Sequence, residues 1–75
     1  VSYACEGDRR LEALFRAGEP AVTLTLEGQT VTLPQVPAAS GIAYSDGVFT
    51  FRAKGQGAFT EGRPGGDYTG CVRDN

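Results

Sequence analysis

The sequence predicts an all-β fold, a small antiparallel β-barrel of about eight short strands. Three observations lead there. Apolar and polar residues alternate with period two through most of the chain, as they do in strands buried on one face. Eleven glycines and four prolines among 75 residues interrupt that alternation every few positions, where turns belong. Cys5 and Cys71 stand near opposite ends of the chain, so a disulfide between them would tie the first strand to the last.

Val1, Tyr3 and Cys5 alternate with Ser2, Ala4 and Glu6 as a half-buried first strand, and Gly7-Asp8 turns the chain. Leu11, Ala13 and Phe15 then alternate with Arg10, Glu12 and Leu14. Residues 9–17 are rich in good helix formers, but Gly7 before them and Gly18-Glu19-Pro20 after leave little room, so a strand is expected. Val22, Leu24 and Leu26 alternate with Thr23, Thr25 and Glu27, the cleanest period-two segment of the chain. Gly28-Gln29 reads as a two-residue turn, and Thr30-Val31-Thr32-Leu33 as the returning partner. Pro34-Gln35-Val36-Pro37-Ala38 reads as a linker, because proline cannot donate within a ladder.

The densest strand signal follows. Ile42, Tyr44, Val48, Phe49 and Phe51 crowd around Asp46-Gly47, a dipeptide suited to a tight hairpin, so residues 41–45 and 48–53 are expected to pair. Residues 57–60 form a short strand. Residues 61–67, rich in glycine, are expected to be the most mobile loop. Residues 68–73 form the last strand, carrying Cys71. A single domain, residues 1–75, is expected. Consecutive hairpins whose ends meet give a closed or nearly closed barrel, which removes exposed edges. In so small a barrel side chains fill the interior and leave no ligand cavity.

A chain of this length buries only about 60% of its unfolded surface, so its core is marginal without a staple. With two cysteines and no histidine there is no ordinary zinc site, and no metal or other cofactor is expected. The cysteines read as a Cys5–Cys71 disulfide formed in an oxidising compartment; the competing reading is a pair of buried thiols in a cytosolic protein. Nothing approaches the roughly 20 apolar residues of a membrane span. Val1 opens directly into a strand pattern, so an export signal or lipid anchor is expected only upstream of it, and membrane attachment only through such an anchor.

The net charge of −2 and the isoelectric point near 4.9 disfavour nucleic acid as a partner. Arg9, Arg10, Arg16, Arg52, Lys54, Arg63 and Arg73 are scattered rather than gathered into a stripe, and a basic protein suits the overall charge better. Catalysis is poorly provided for. There is no histidine to serve as general base, and the acidic residues fall singly along the chain. A Ser40–Lys54 dyad would need a desolvated lysine, which a lysine beside Gly55 in a surface turn is not. The oligomeric state is not fixed by the sequence.

Two small polar features bracket the central hairpin, Ser40-Gly41 before it and Lys54-Gly55 after it. Folding about Asp46-Gly47 brings these ends together, so Ser40 and Lys54 are expected to be neighbours and to form a recognition edge. Taken singly, Lys54 reads as a solvated lysine at a turn, Ser40 as a loop residue and Tyr44 as strand packing.

Taken together, Tyr3-x-Cys5, Ala39-Ser40-Gly41-x-x-Tyr44, Ser45-Asp46-Gly47, Phe51-x-x-Lys54-Gly55-x-x-Ala58 and a closing Cys71 resemble the MliC/PliC family over essentially the whole chain. Those proteins are bacterial inhibitors of C-type lysozyme, lipid-anchored or soluble in the periplasm. The resemblance implies a disulfide-closed antiparallel barrel in the periplasm or attached to the outer membrane, with C-type lysozyme as partner. It also implies that Ser40 and Lys54 enter the lysozyme cleft, that Tyr44 supports the loop or touches its rim, and that Arg52 lies where a contact is expected. Two positions depart from the family pattern. Arg52 stands where tryptophan is common, and Ala38 where serine is often found.

The implied inhibition has a simple physical basis. A retaining lysozyme holds two carboxyl groups about 5–5.5 Å apart, one of them protonated. An ammonium between them meets negative charge in a water-poor cleft and favours the ionised, inactive form of the acid. The alternative, from a different functional class, is a carbohydrate- or envelope-binding module, for which only Tyr3, Tyr44, Tyr68 and four phenylalanines could stack on sugars. A purely structural envelope domain is the third reading.

Overall fold

Every stretch with strict alternation becomes a strand with its apolar face inward. The computed structural model describes residues 1–15, 18–63 and 66–74. Among these, the strands are β1 (Ser2–Cys5), β2 (Arg9–Phe15), β3 (Ala21–Leu26), β4 (Gln29–Val36), β5 (Ile42–Ser45), β6 (Thr50–Lys54), β7 (Gly57–Glu61) and β8 (Cys71–Arg73). Each pairs antiparallel with the next, and β8 returns to β1 to close the barrel. The strand expected over residues 9–17 is present as β2; residues 16 and 17 lie outside the described residues.

The interior is filled by side chains. Leu11, Ala13, Val22, Leu24, Leu26 and Leu33 line one side of it, and Tyr3, Tyr44, Phe51, Ala58 and Cys71 the other. Tyr3 meets Phe51 edge-on at 6.0 Å between centroids, and Tyr44 stacks on Phe51 at 6.5 Å, both favourable arrangements of aromatic quadrupoles. Thr60 is the one buried polar residue described. Its hydroxyl accepts from Tyr68 N at 2.8 Å and donates to Asp67 Oδ1 at 3.3 Å, so it is satisfied on both counts.

The disulfide joins Cys5 to Cys71 across the β1–β8 seam, one step beyond the Ala4–Val72 pair. Covalent and hydrogen-bonded closure therefore coincide.

Four sequence expectations need correction. The β3–β4 turn is Glu27-Gly28 rather than Gly28-Gln29, since Leu26 pairs with Gln29. Both turn residues have left-handed backbones, φ +49° and +74°, as a hairpin turn matched to strand twist requires. Glu27 holds this conformation while its carboxylate meets Arg63 at 2.8 Å and Arg9 at 3.5 Å. Those two guanidinium groups lie over the buried Tyr68 ring at 5.4 and 4.6 Å from its centroid, where each cation meets the negative face of the ring quadrupole.

Second, Pro34 lies within β4, paired with Ala21, rather than in a linker. Gln35 N donates to Pro20 O, toward β3, so the nitrogen of Pro34 faces the other side. Pairing with β5 begins there only at Gln35, and no ladder bond is lost. Third, β8 begins at Cys71, and Tyr68 precedes it; the Tyr68 carbonyl nevertheless accepts from Thr60 N at 2.8 Å. The expected mobile loop, residues 61–67, includes residues 64 and 65, which lie outside the described residues. Its described flanks are held, with Arg63 N donating to Asp67 Oδ1 at 2.8 Å.

Fourth, the central hairpin turns through Asp46, Gly47, Val48 and Phe49, because Ser45 pairs with Thr50. Val48 and Phe49 therefore belong to the loop. Asp46 Oδ1 accepts from Val48 N at 2.9 Å and Phe49 N at 2.8 Å, and Ser45 Oγ accepts from Gly47 N at 3.0 Å. The bonds from Val48 N, first, and Phe49 N hold the Asp46 carboxyl below its usual value. A carboxyl lowered by folding stabilises the native state above its unfolded value, and that stabilisation is lost as pH falls through the folded one. Asp46→Asn keeps an acceptor in the loop and removes the titration. Its thermal midpoint is expected to fall less than the parent's between about pH 5 and pH 2; parallel curves would assign the loop no pH dependence.

Candidate functional site

The corrected turn sets the register at the far end of the hairpin. Ile42 pairs with Ala53, which carries Gly41 to a position opposite Lys54. The backbones approach closely there: a Cβ at Gly41 would stand 3.0 Å from Lys54 Cβ and would collide with Ala53 O. Gly41 also has φ +66°, so glycine is required twice, for its backbone angle and for the space. Ser40, immediately before it, is thereby held beside the end of β6.

The glycines at the two hairpin ends differ in their surroundings. Gly55, at φ +59°, has open space within 4 Å of where a Cβ would stand, whereas Gly41 is crowded. Gly55→Ala is expected to destabilise by about 1 kcal/mol from backbone strain alone, and Gly41→Ala by roughly 2 kcal/mol. Denaturant unfolding reads the difference; equal losses would mean that the β5–β6 ends are not in close contact.

Ser40, Lys54 and Arg52 are exposed and border one open depression of about 590 Å³ on the outer wall of β6–β8, with Ala39, Phe59 and Val72. Arg52 neighbours Phe59 across β6–β7, and its Nε donates to Glu61 Oε1 at 2.7 Å. Lys54 forms no salt bridge among the described residues. It also borders a second depression, of about 320 Å³, at the barrel mouth with Tyr3, Phe15, Ile42 and Arg73. Burial pushes the Tyr3 phenol above its usual value, with the Arg73 charge opposing that shift.

Tyr44 is not with the other three. It is 7% exposed and packs inward against Phe15 and Phe51, so among the contacts described it is a packing residue beneath the hairpin. Phe59 and Val72 are site-wall residues that sequence reading did not single out. They belong to different strands, brought together through the β7–β8 pairing of Gly57 with Val72. Their only sequence signal was an apolar residue at an outward-facing position.

The wall can accept apolar groups and the ridge at Lys54 can meet an anion. Nothing in the arrangement activates a nucleophile, and among the described residues no three acidic or cysteine side chains converge as a metal site.

The family model described as the membrane-bound lysozyme inhibitor of C-type lysozyme, MliC, matches residues 3–67. The membrane-bound lysozyme inhibitor of C-type lysozyme from Yersinia enterocolitica (serotype O:8, biotype 1B) is 46% identical over 61 residues. That alignment covers 81% of this chain and 51% of the relative, so the chain spans about half the relative's length. No solved structure matches. The family match runs from β1 through β7, taking in both ends of the central hairpin, and with it the chain belongs to the MliC family of membrane-bound C-type lysozyme inhibitors.

Proposed function

We propose that this chain inhibits C-type lysozyme by seating Lys54, with Ser40 beside it, against the catalytic carboxylates in the active-site cleft. The observation that carries the reading is the meeting of two exposed features distant in sequence, Ser40-Gly41 and Lys54-Gly55, at one end of a rigid hairpin. The lysine there has no acidic neighbour to neutralise it among the described residues. An ammonium donates up to three hydrogen bonds, and a serine hydroxyl adds one more. Both reach a buried acidic pair without ordering a flexible loop, since the flanking strands are fixed by pairing on either side. The acidic inhibitor is also drawn to the basic surface typical of such enzymes. The compartment proposed is the bacterial envelope, in the periplasm or attached to the outer membrane, where the disulfide persists.

The burial of all three tyrosines weakens the sugar-binding alternative and leaves it the phenylalanines, of which Phe59 is exposed on the site wall. Tyr3, Tyr44 and Tyr68 are 2%, 7% and 1% exposed, leaving no tyrosine face to stack on a saccharide. The experiment is direct. The chain should co-elute with a C-type lysozyme on a sizing column and protect a cell-wall suspension from lysis. Wall binding without protection would favour the carbohydrate module, and neither activity would leave a structural domain.

A further inference from the structure

Four of the described arginines are engaged in the fold. Arg9 and Arg63 share Glu27, Arg10 pairs with Asp74, and Arg52 with Glu61. Two basic side chains have no ion pair among the described residues, Lys54 and Arg73. Both are exposed, and both border the depression of about 320 Å³ at the barrel mouth.

The topology brings their backbones to one mouth of the barrel, Lys54 leaving on the outer face it shares with Val72 through Gly57 and Arg73 on the inner face it shares with Tyr3. Arg73 N donates to Gln56 O at 2.9 Å, which lays the end of β8 against the turn that follows Lys54. Arg73 also stands directly opposite Tyr3 in the β1–β8 register. Cross-strand partners share a face of the sheet, so its side chain leaves on the Tyr3 side, toward the mouth. Two like charges on one depression gain nothing from each other in the free protein. On a chain of net charge −2 they form a local positive site against the overall sign.

We propose that Arg73 is a second cationic contact of the inhibitory surface, meeting an acidic group of the lysozyme cleft alongside Lys54 and helping to set which enzymes are held. This rests on Lys54 entering that cleft. A guanidinium at the mouth can take a carboxylate through two parallel hydrogen bonds, a geometry an ammonium lacks. The contact would be local and would work against the long-range attraction between an acidic inhibitor and a basic enzyme.

That opposition makes the test decisive. Arg73→Gln renders the chain one charge more acidic, and so does Gln29→Glu, placed at the exposed start of β4 on the opposite end of the barrel. Inhibition constants would be measured against one C-type lysozyme at two salt concentrations, with thermal unfolding as the folding check. Arg73→Gln is expected to weaken inhibition about fivefold, roughly 1 kcal/mol, at both salt concentrations. Gln29→Glu should leave inhibition unchanged or slightly tighter, and Arg73→Lys should recover part of the loss. If Arg73→Gln inhibits as well as the parent while Lys54→Ala fails, the Arg73 contact is overturned and the cleft reading stands. Equal weakening by Gln29→Glu also overturns it, because net charge would then be the cause. If Lys54→Ala inhibits like the parent, the cleft reading itself falls and the Arg73 contact falls with it.

Discussion

Lys54→Ala is expected to weaken inhibition of a C-type lysozyme by at least about 2 kcal/mol, roughly thirtyfold, while leaving the fold intact. The two halves of that statement have different causes. The side chain is exposed, forms no ion pair among the described residues and lies at the end of β6, so the barrel loses little with it. In the complex the same ammonium would be surrounded by carboxylates and shielded from water, where each charge-assisted hydrogen bond is stronger than at an open surface. Removing it would also leave the enzyme's carboxylates buried without a partner, which adds to the loss. Lys54→Met separates charge from bulk, since it keeps most of the stem; it should lose nearly as much as alanine. Lys54→Arg should fall in between, because a planar guanidinium does not fit a site suited to a compact ammonium. Inhibition unchanged by Lys54→Ala, with the thermal midpoint of the parent, would remove Lys54 from the site.

Ser40→Ala tests the other residue of the proposed site and should have a smaller effect, as one neutral hydrogen bond does. Its position depends on Gly41 more than on its own chemistry. Gly41 lets β5 and β6 approach until a Cβ would touch Ala53 O, and that approach sets the chain at Ser40 beside the end of β6. Site and scaffold are therefore coupled through one glycine.

How much of this was legible in the sequence follows the range of the interactions concerned. Alternation is a local signal, and it located β3 well: Val22, Leu24 and Leu26 point inward, and Thr25 between them is exposed. It also favoured a strand over residues 9–15 against their helix propensity, because flanking turns and neighbouring strands outweigh a preference of a few tenths of a kcal/mol per residue. Turn positions were read less well. At Glu27-Gly28 the left-handed glutamate is accompanied by ion pairs to Arg9 and Arg63, which come from β2 and from beyond β7. No short window of sequence contains those partners. At Asp46 the carboxylate caps the next two free amides, which lengthens the loop and shifts the register of β6. That shift places Lys54 opposite Gly41, so the juxtaposition expected from a tight two-residue turn is reached through a longer one. The wall formed by Phe59 and Val72 was invisible for the same reason, since it exists only once β7 and β8 pair.

Loss of the Cys5–Cys71 bond is expected to have the largest effect of any change considered, about 4 kcal/mol of stability. The bond spans 66 residues, so in the unfolded chain it removes the freedom of nearly the whole molecule. The ladder it reinforces is short, extended by single bonds such as Glu6 N to Thr69 O and Asp74 N to Ser2 O. The described register between β1 and β8 comprises only Tyr3 with Arg73 and Ala4 with Val72, and β7 holds β8 through two pairs as well. A three-residue strand with so few partners contributes little alone. Once it detaches, β1 and β7 become open edges and buried Ala58 loses its cross-strand partner Cys71. Because a domain of this size has a total stability of the same order, reduction should lower the thermal midpoint by roughly 20 °C and leave a substantial unfolded fraction at about 37 °C. Inhibition should disappear over the same range, since Lys54 is fixed by β6, which depends on β7 and through it on β8. The double variant Cys5→Ala with Cys71→Ala should behave like the reduced protein, with a small further loss from the methyl-sized space left at the buried Cys71. Complete reduction, verified by the mass of the alkylated thiols, with a midpoint within a few degrees of the oxidised protein would show that strand pairing alone closes the barrel.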